Sequence, residues 1–284
     1  MRLSSTAHLL LGLTLFAGCS SSTPSQPPPA SSAPAPPPAA VALPAGNFVD
    51  LSHTYDANTI FWPTAETFAL QKVADGETPA GFYYAANNFS GSEHGGTHID
   101  APIHFARGHQ TVDRIPLESL IAPAVVVDVT EESADNVDYE VTVDDLTRFE
   151  QEHGRIPAGS ILLFKTGFAS RWPNSAAYLG TSERGDAAVA NLHFPGLHPD
   201  AAAWIVGNRA VKAVGIDTAS IDFGQSTLYQ SHQTLYARDI PALENLASLD
   251  RLPPTGALLI ALPMKIGGGS GAPVRVVAVV PFAK

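Results

Sequence analysis

The chain has 284 residues, 45% of them hydrophobic, with 16 basic side chains against 27 acidic ones and a formal net charge of −11. So acidic a balance excludes a surface built to follow a phosphate backbone, and with it a nucleic-acid-binding role. The length suits one sizeable domain with its own apolar core, and a lone cysteine excludes an internal disulfide.

The chain opens on Met1-Arg2, continues through an apolar stretch from Leu9 to Ala17 and reaches Gly18-Cys19. A short charged start, a hydrophobic middle and small residues at the end predict a signal peptide over residues 1–18. The apolar stretch is too short for a permanent membrane span. Phe16-Ala17-Gly18-Cys19 is similar to a bacterial lipobox, with Phe16 where an aliphatic residue is usual, so Cys19 is expected to carry lipid after cleavage. Ser20 at the next position, rather than an aspartate, favours sorting to the outer membrane, facing the periplasm, in a diderm host. Ser20 to Leu43 is almost entirely Ser, Pro and Ala, with too little apolar side chain to offset the entropy of ordering. Residues 19–45 therefore read as a lipidated cysteine and a tether, and residues 46–284 as the folded domain.

In the domain, Phe48 to Phe89 reads as strand and loop without a clear helix, and contains Trp62-Pro63. After the segment from His94 to His104, taken up below, branched apolar runs at Ala124–Val129 and Ile161–Phe164 predict buried strands. Between them Thr142 is placed to cap a helix whose Val143, Leu146 and Phe149 share a face, with Gly154 and Pro157 ending it. A second helix is expected from Pro199, packing Ala201, Trp204 and Ile205 and stopping at Gly207-Asn208. Val211–Ile216, Ala257–Leu262 and Val274–Val280 read as further strands, and Pro241 as the opening of a short helix over Ile240–Leu246. Interleaved strands and helices favour an α/β domain with a mixed sheet over a sandwich.

The run His94-Gly-Gly-Thr-His98-Ile-Asp100-Ala-Pro-Ile-His104 places three imidazoles and a carboxylate on one short segment. These are the donors of a divalent transition metal. Gly95, Gly96 and Pro102 oppose a continuous helix, so an extended segment is expected, with His98, Asp100 and His104 on one side and the glycine pair folding His94 back. Such a cluster is costly to bury unless its members are paired or hold a cation. The remaining ligands must come from elsewhere, and spacing does not choose among His53, His109, His153, His193, His198 and His232. Glu244 lies in an otherwise apolar segment, and the pattern alone places it on an exposed helix face.

This first motif resembles the signature of the cyclase family, which includes bacterial kynurenine formamidases and isatin hydrolases, and the resemblance extends from about Val49 to the C-terminus. It implies that His94, His98 and Asp100 are metal ligands and that His104 is the catalytic acid/base. Gly215-Ile216-Asp217-Thr218-Ala219-Ser220-Ile221-Asp222, His232 and Glu244-Asn245-Leu246 resemble the family's second block. There His232 and Glu244 match the remaining ligands, against the surface reading of Glu244. Ala261–Ile266 and Ser270–Arg275 are similar to its closing strands. Trp62-Pro63 resembles the segment that supplies an aromatic wall for substrate, although core packing explains a tryptophan equally well.

The resemblance further implies a swivelling β/β/α fold, a homodimer, and one or two divalent ions, with Asp100 bridging a pair. Zinc suits the imidazoles and manganese the carboxylates. A cation at such a site lowers the pKa of water and polarises a carbonyl, so hydrolysis of an aryl formamide to amine and formate is the leading expectation. A cyclic amide or ester such as isatin is the alternative, since formylkynurenine is a cytosolic intermediate and this chain is expected to be exported. A lipid-anchored protein that binds metal or a small ligand without turnover is the rival from another class, and such a binder has no use for an unligated His104. No Gly-x-Ser-x-Gly elbow is present, the one cysteine lies in the leader, and Asp217-Thr218-Ala219 reads as a structural turn because it has no second copy.

Overall fold

The computed structural model describes residues 45–282, so the expected signal peptide, Cys19 and all but the last residue of the tether lie outside the described residues. Twelve strands follow in chain order: β1 (Gly46–Asp50), β2 (Ala69–Glu77), β3 (Tyr83–Ser90), β4 (His98–Asp100), β5 (Ile121–Asp128), β6 (Glu140–Val141), β7 (Ile161–Lys165), β8 (Gly196–Leu197), β9 (Ala213–Ile216), β10 (Ala242–Glu244), β11 (Thr255–Pro263) and β12 (Gly271–Pro281). Eight of them form one sheet in the order β1-β12-β11-β5-β7-β9-β10-β4. Because β4 also pairs with β12, seven of these strands close into a mixed barrel, with β1 added along β12. The domain is thus a mixed α/β fold, as the alternation of elements predicts.

Alternation along the strands builds two cores. Ala124, Val126, Ile161, Leu163, Leu259, Ala261, Val276 and Ala278 face the barrel interior, whereas Val125, Val127, Leu162, Phe164, Val214 and Ile216 face the helices. The parallel strands β5, β7 and β9 are covered on both faces, which is why their sequences are continuous apolar runs rather than alternating ones. The antiparallel β11 instead buries alternate residues, Ala257, Leu259 and Ala261.

Two of the three predicted helices are present. Val143–His153 starts in a capping box: the Thr142 hydroxyl accepts from the Asp145 N–H and the Asp145 carboxylate accepts from the Thr142 N–H. It ends at Gly154, whose φ of 84° suits a residue without a Cβ. Pro199–Asn208 begins with proline in its first turn and buries Ala201, Ala202 and Ile205. A further helix, Gln230–Tyr236, carries His232 on its buried side.

Two expectations are corrected. The segment around Pro241 is not a helix: Ala242–Glu244 is a strand, parallel to β9 and antiparallel to β4. Its three residues are buried on both faces, and a proline just before a strand costs no ladder bond, so a short apolar run there suits either structure. The extended segment expected through His104 stops at Asp100. Pro102 starts a 3-10 turn over Pro102–His104, which swings His104 back toward the strand it follows.

Candidate metal centre

β4 is the hub of the site. Central between β10 and β12, it presents His98 and Asp100 on the same side, as a two-residue period requires, and both are buried. Its pairing with β10 sets His98 opposite Glu244. The glycine pair before it is demanded by close approach. A Cβ on Gly95 would lie 2.0 Å from the Phe61 ring, and Gly96 takes φ of 54° with the Tyr55 ring against it. This compact entry lets His94 fold back onto Asp100.

The structure brings together all six histidine and carboxylate residues that the motifs single out. Nε2 of His98 lies 3.1 Å from Asp100 Oδ1 and 3.4 Å from Glu244 Oε2, and Nε2 of His232 lies 3.4 Å from Asp100 Oδ2 and 3.2 Å from Glu244 Oε1. Nδ1 of His94 is 2.7 Å from Asp100 Oδ1, and His104 Nε2 is 3.8 Å from Asp100 Oδ2. Two donor groups result, His98/Asp100/Glu244 and His94/Asp100/His104, and Asp100 belongs to both.

Hydrogen bonds fix which nitrogen each buried ring offers. The Nδ1–H of His98 donates to the Gly96 carbonyl, and that of His232 donates to the Asp222 carboxylate. Each Nε2 is then the nitrogen directed at carboxylate oxygens, an arrangement that calls for positive charge between them, a proton or a metal cation. His98 Nε2 is a buried polar atom with no hydrogen-bond partner. The donor set and this orphaned nitrogen fit a divalent ion.

The electrostatics agree. Burial lowers the pKa of His98, yet the Asp100 and Glu244 carboxylates outweigh it and raise the ring above its ordinary value. Against the same burial penalty, Asp100, Asp222 and Glu244 raise His232 well above its usual range. Full burial disfavours the Asp100 carboxylate, but His94, His232 and His98 hold it well below the ordinary carboxylate range. The pocket thus draws positive charge to its centre. His104 differs: desolvation pushes it down to about 4, with the other three imidazoles adding to the effect and Asp100 opposing it.

A cavity of about 540 Å³ opens onto these groups, walled by Ile60, Phe61, Trp62, Phe105 and Tyr229. Trp62 takes both positions that its sequence context left open, packing edge-on to Phe194 and Tyr229 while lining the cavity. Several contributors escape sequence reasoning. Tyr236 donates to Asp100 Oδ2 at 2.9 Å, and its place four residues after His232 on one helix was the available signal. Asp222 accepts from the backbone N–H groups of Ser231 and His232 as well as from the His232 ring. A larger cavity of about 840 Å³, beside His53, Lys165 and Trp172, shares no lining residue with this one and includes none of the clustered ligand candidates.

The family model described as "Putative cyclase" matches residues 49–223, and the chain belongs to the cyclase family. An isatin hydrolase from Roseibium aggregatum is 36% identical over 222 residues, covering 75% of this chain and 81% of that protein. A kynurenine formamidase from Salinibacter ruber is 32% identical over 236 residues, covering 81% of this chain and 95% of the relative. The solved structure of isatin hydrolase A from Ralstonia solanacearum superposes with a TM-score of 0.75 at 37% identity, covering 82% of this chain and 92% of that one.

Proposed function

We propose that this chain is a metal-dependent hydrolase of the amide C–N bond in a small aromatic substrate. The observation that carries this reading is the convergence of the His98 and His232 Nε2 atoms on the carboxylates of Asp100 and Glu244. His94, His98, Asp100, His232 and Glu244 would hold one or two divalent ions, zinc by the imidazoles or manganese by the carboxylates. When bound, the ion supplies a water of lowered pKa and polarises the substrate carbonyl.

The chain's own residues do the rest. His104 lies at the mouth of the cluster with about 30% of its side chain exposed, stacked on His94 at 3.9 Å between ring centroids. With its pKa near 4 it is neutral at pH 7, so Nε2 can accept a proton from water and return it to the departing nitrogen. Trp62, Phe105 and Tyr229 offer aromatic faces to an aryl ring and keep water from it.

Two substrates fit. Ring opening of a cyclic amide such as isatin is favoured by the identity to the isatin hydrolases. Cleavage of an aryl formamide to amine and formate is favoured by the relative from Salinibacter, which this chain matches over almost its full length. Isatin and N-formylaniline assayed side by side with metal-loaded protein, with and without chelator, test the reading. Chelator-sensitive product from at least one is expected, and product that persists undiminished after chelation contradicts it.

We also infer a homodimer and export as a lipoprotein anchored through Cys19. Dimerisation is supported by the β2–β3 hairpin, which leaves Leu70, Val73, Phe82, Tyr83, Tyr84 and Phe89 exposed although two strands alone are marginally stable in water. Export rests on the leader sequence, and incorporation of labelled fatty acid that Cys19→Ala abolishes is its test.

A further inference from the structure

The His94 ring is held at both nitrogens. Nδ1 lies 2.7 Å from Asp100 Oδ1, and Nε2 lies 2.9 Å from Ser270 Oγ. The Ser270 hydroxyl donates to Glu93 Oε2 at 2.7 Å, and the Ser270 backbone N–H donates to the same oxygen at 2.9 Å. A hydroxyl has one proton and a carboxylate only accepts. With its proton committed to Glu93, Ser270 meets His94 as an acceptor, so Nε2 must carry a hydrogen and Nδ1 is the nitrogen left to face Asp100 or a metal. His94 is therefore the reverse of His98 and His232, which keep hydrogen on Nδ1 and offer Nε2.

The chain around Ser270 is shaped for this contact. A Cβ on Gly269 would lie 2.8 Å from Glu93 Oε1, and one on Gly271 would lie 2.6 Å from His94 Cε1. Two glycines thus let the turn into β12 lie against both side chains. Neither Glu93 nor Ser270 has a part in the chemistry described above.

We propose that Glu93, acting through Ser270, is a positioning residue of the centre, keeping a hydrogen on Nε2 of His94 and turning Nδ1 to Asp100, where it is free to ligate a metal. The consequence for metal binding rests on the reading of the site given above. The same hold orients the ring on which His104 stacks.

The test uses the full chain and two readouts: imidazole ¹⁵N shifts of the metal-free protein, and zinc affinity by competition with a chromophoric chelator. Wild type is expected to show His94 protonated at Nε2. Ser270→Ala and Glu93→Ala are expected to give mixed tautomers and to weaken zinc about 10- to 100-fold. Glu93→Gln keeps an acceptor oxygen for Ser270 and is expected to retain both the tautomer and the affinity. The double alanine variant should lose no more than Ser270→Ala alone, because the two residues act as one chain. A wild-type spectrum with Nε2 of His94 unprotonated, additive losses in the double variant, or unchanged affinity in both single alanine variants overturns the proposal. If wild type binds no zinc, the reading of the site fails, while the ¹⁵N spectra still decide the tautomer.

Discussion

Glu244 Oε1 stands 3.2 Å from Nε2 of His232, a ring whose other nitrogen already donates to Asp222. The remaining nitrogen thus faces a carboxylate inside a buried pocket. The carboxylates draw positive charge to that nitrogen, and a divalent cation takes the place that a proton holds in its absence.

Removing Glu244 should therefore empty the site rather than disturb the fold around it. Glu244→Ala is expected to retain well under one ion per chain after gel filtration, with circular dichroism like that of wild type. Asp100, shared by both donor groups, should be stricter still: Asp100→Ala is expected to lose all bound metal by elemental analysis. Full occupancy in Asp100→Ala contradicts its shared role.

Asp222 acts at one remove. Asp222→Asn keeps the size of the side chain but weakens its hold on the His232 ring, and a loss of about 10- to 100-fold in zinc affinity is expected. An unchanged dissociation constant would show that the ring needs no such partner.

For His104 the expected signature is a split. His104→Ala should keep metal content near that of wild type while kcat falls by about 10²- to 10⁴-fold. Loss of metal together with activity would make it a ligand of the His94/Asp100/His104 group instead.

His53 gives a pH dependence independent of catalysis. It stacks on Trp172 at 4.1 Å between ring centroids, and its backbone N–H donates to Thr97 Oγ1, next to His98. Burial pushes its pKa down from 6.5 to about 4, with Asp50 opposing. The folded pKa is below the unfolded one, so the neutral ring's contribution is complete above about pH 6.5 and is lost as pH falls toward about 4. Metal-free His53→Gln should accordingly show a flatter fall in Tm across that window than wild type. Parallel Tm curves would remove His53 from the account.

Legibility from the sequence followed locality. The strands β5, β7, β9, β11 and β12 announce themselves because burial makes them apolar, and Thr142 announces its helix because capping needs a particular oxygen. Closure of the barrel does not, since pairing His98–Asp100 with Gly271–Pro273 joins segments far apart and leaves no local mark. β10 was hidden because three residues buried on both faces have no period. In the site, the spacing from His94 to Asp100 is self-declaring, whereas His232 and Glu244 are reached from sequence only through the family resemblance. Tyr236, Asp222 and the Glu93–Ser270 pair depend on tertiary neighbours, and only the folded structure reveals them.

The most direct test of the central claim is elemental analysis of purified protein before and after chelation, with amide hydrolysis followed in the same samples. At least one zinc or manganese ion per chain, activity lost with that ion and restored on adding it back, is the predicted result. Protein stripped of divalent metal that hydrolyses its substrate at the original rate would contradict it.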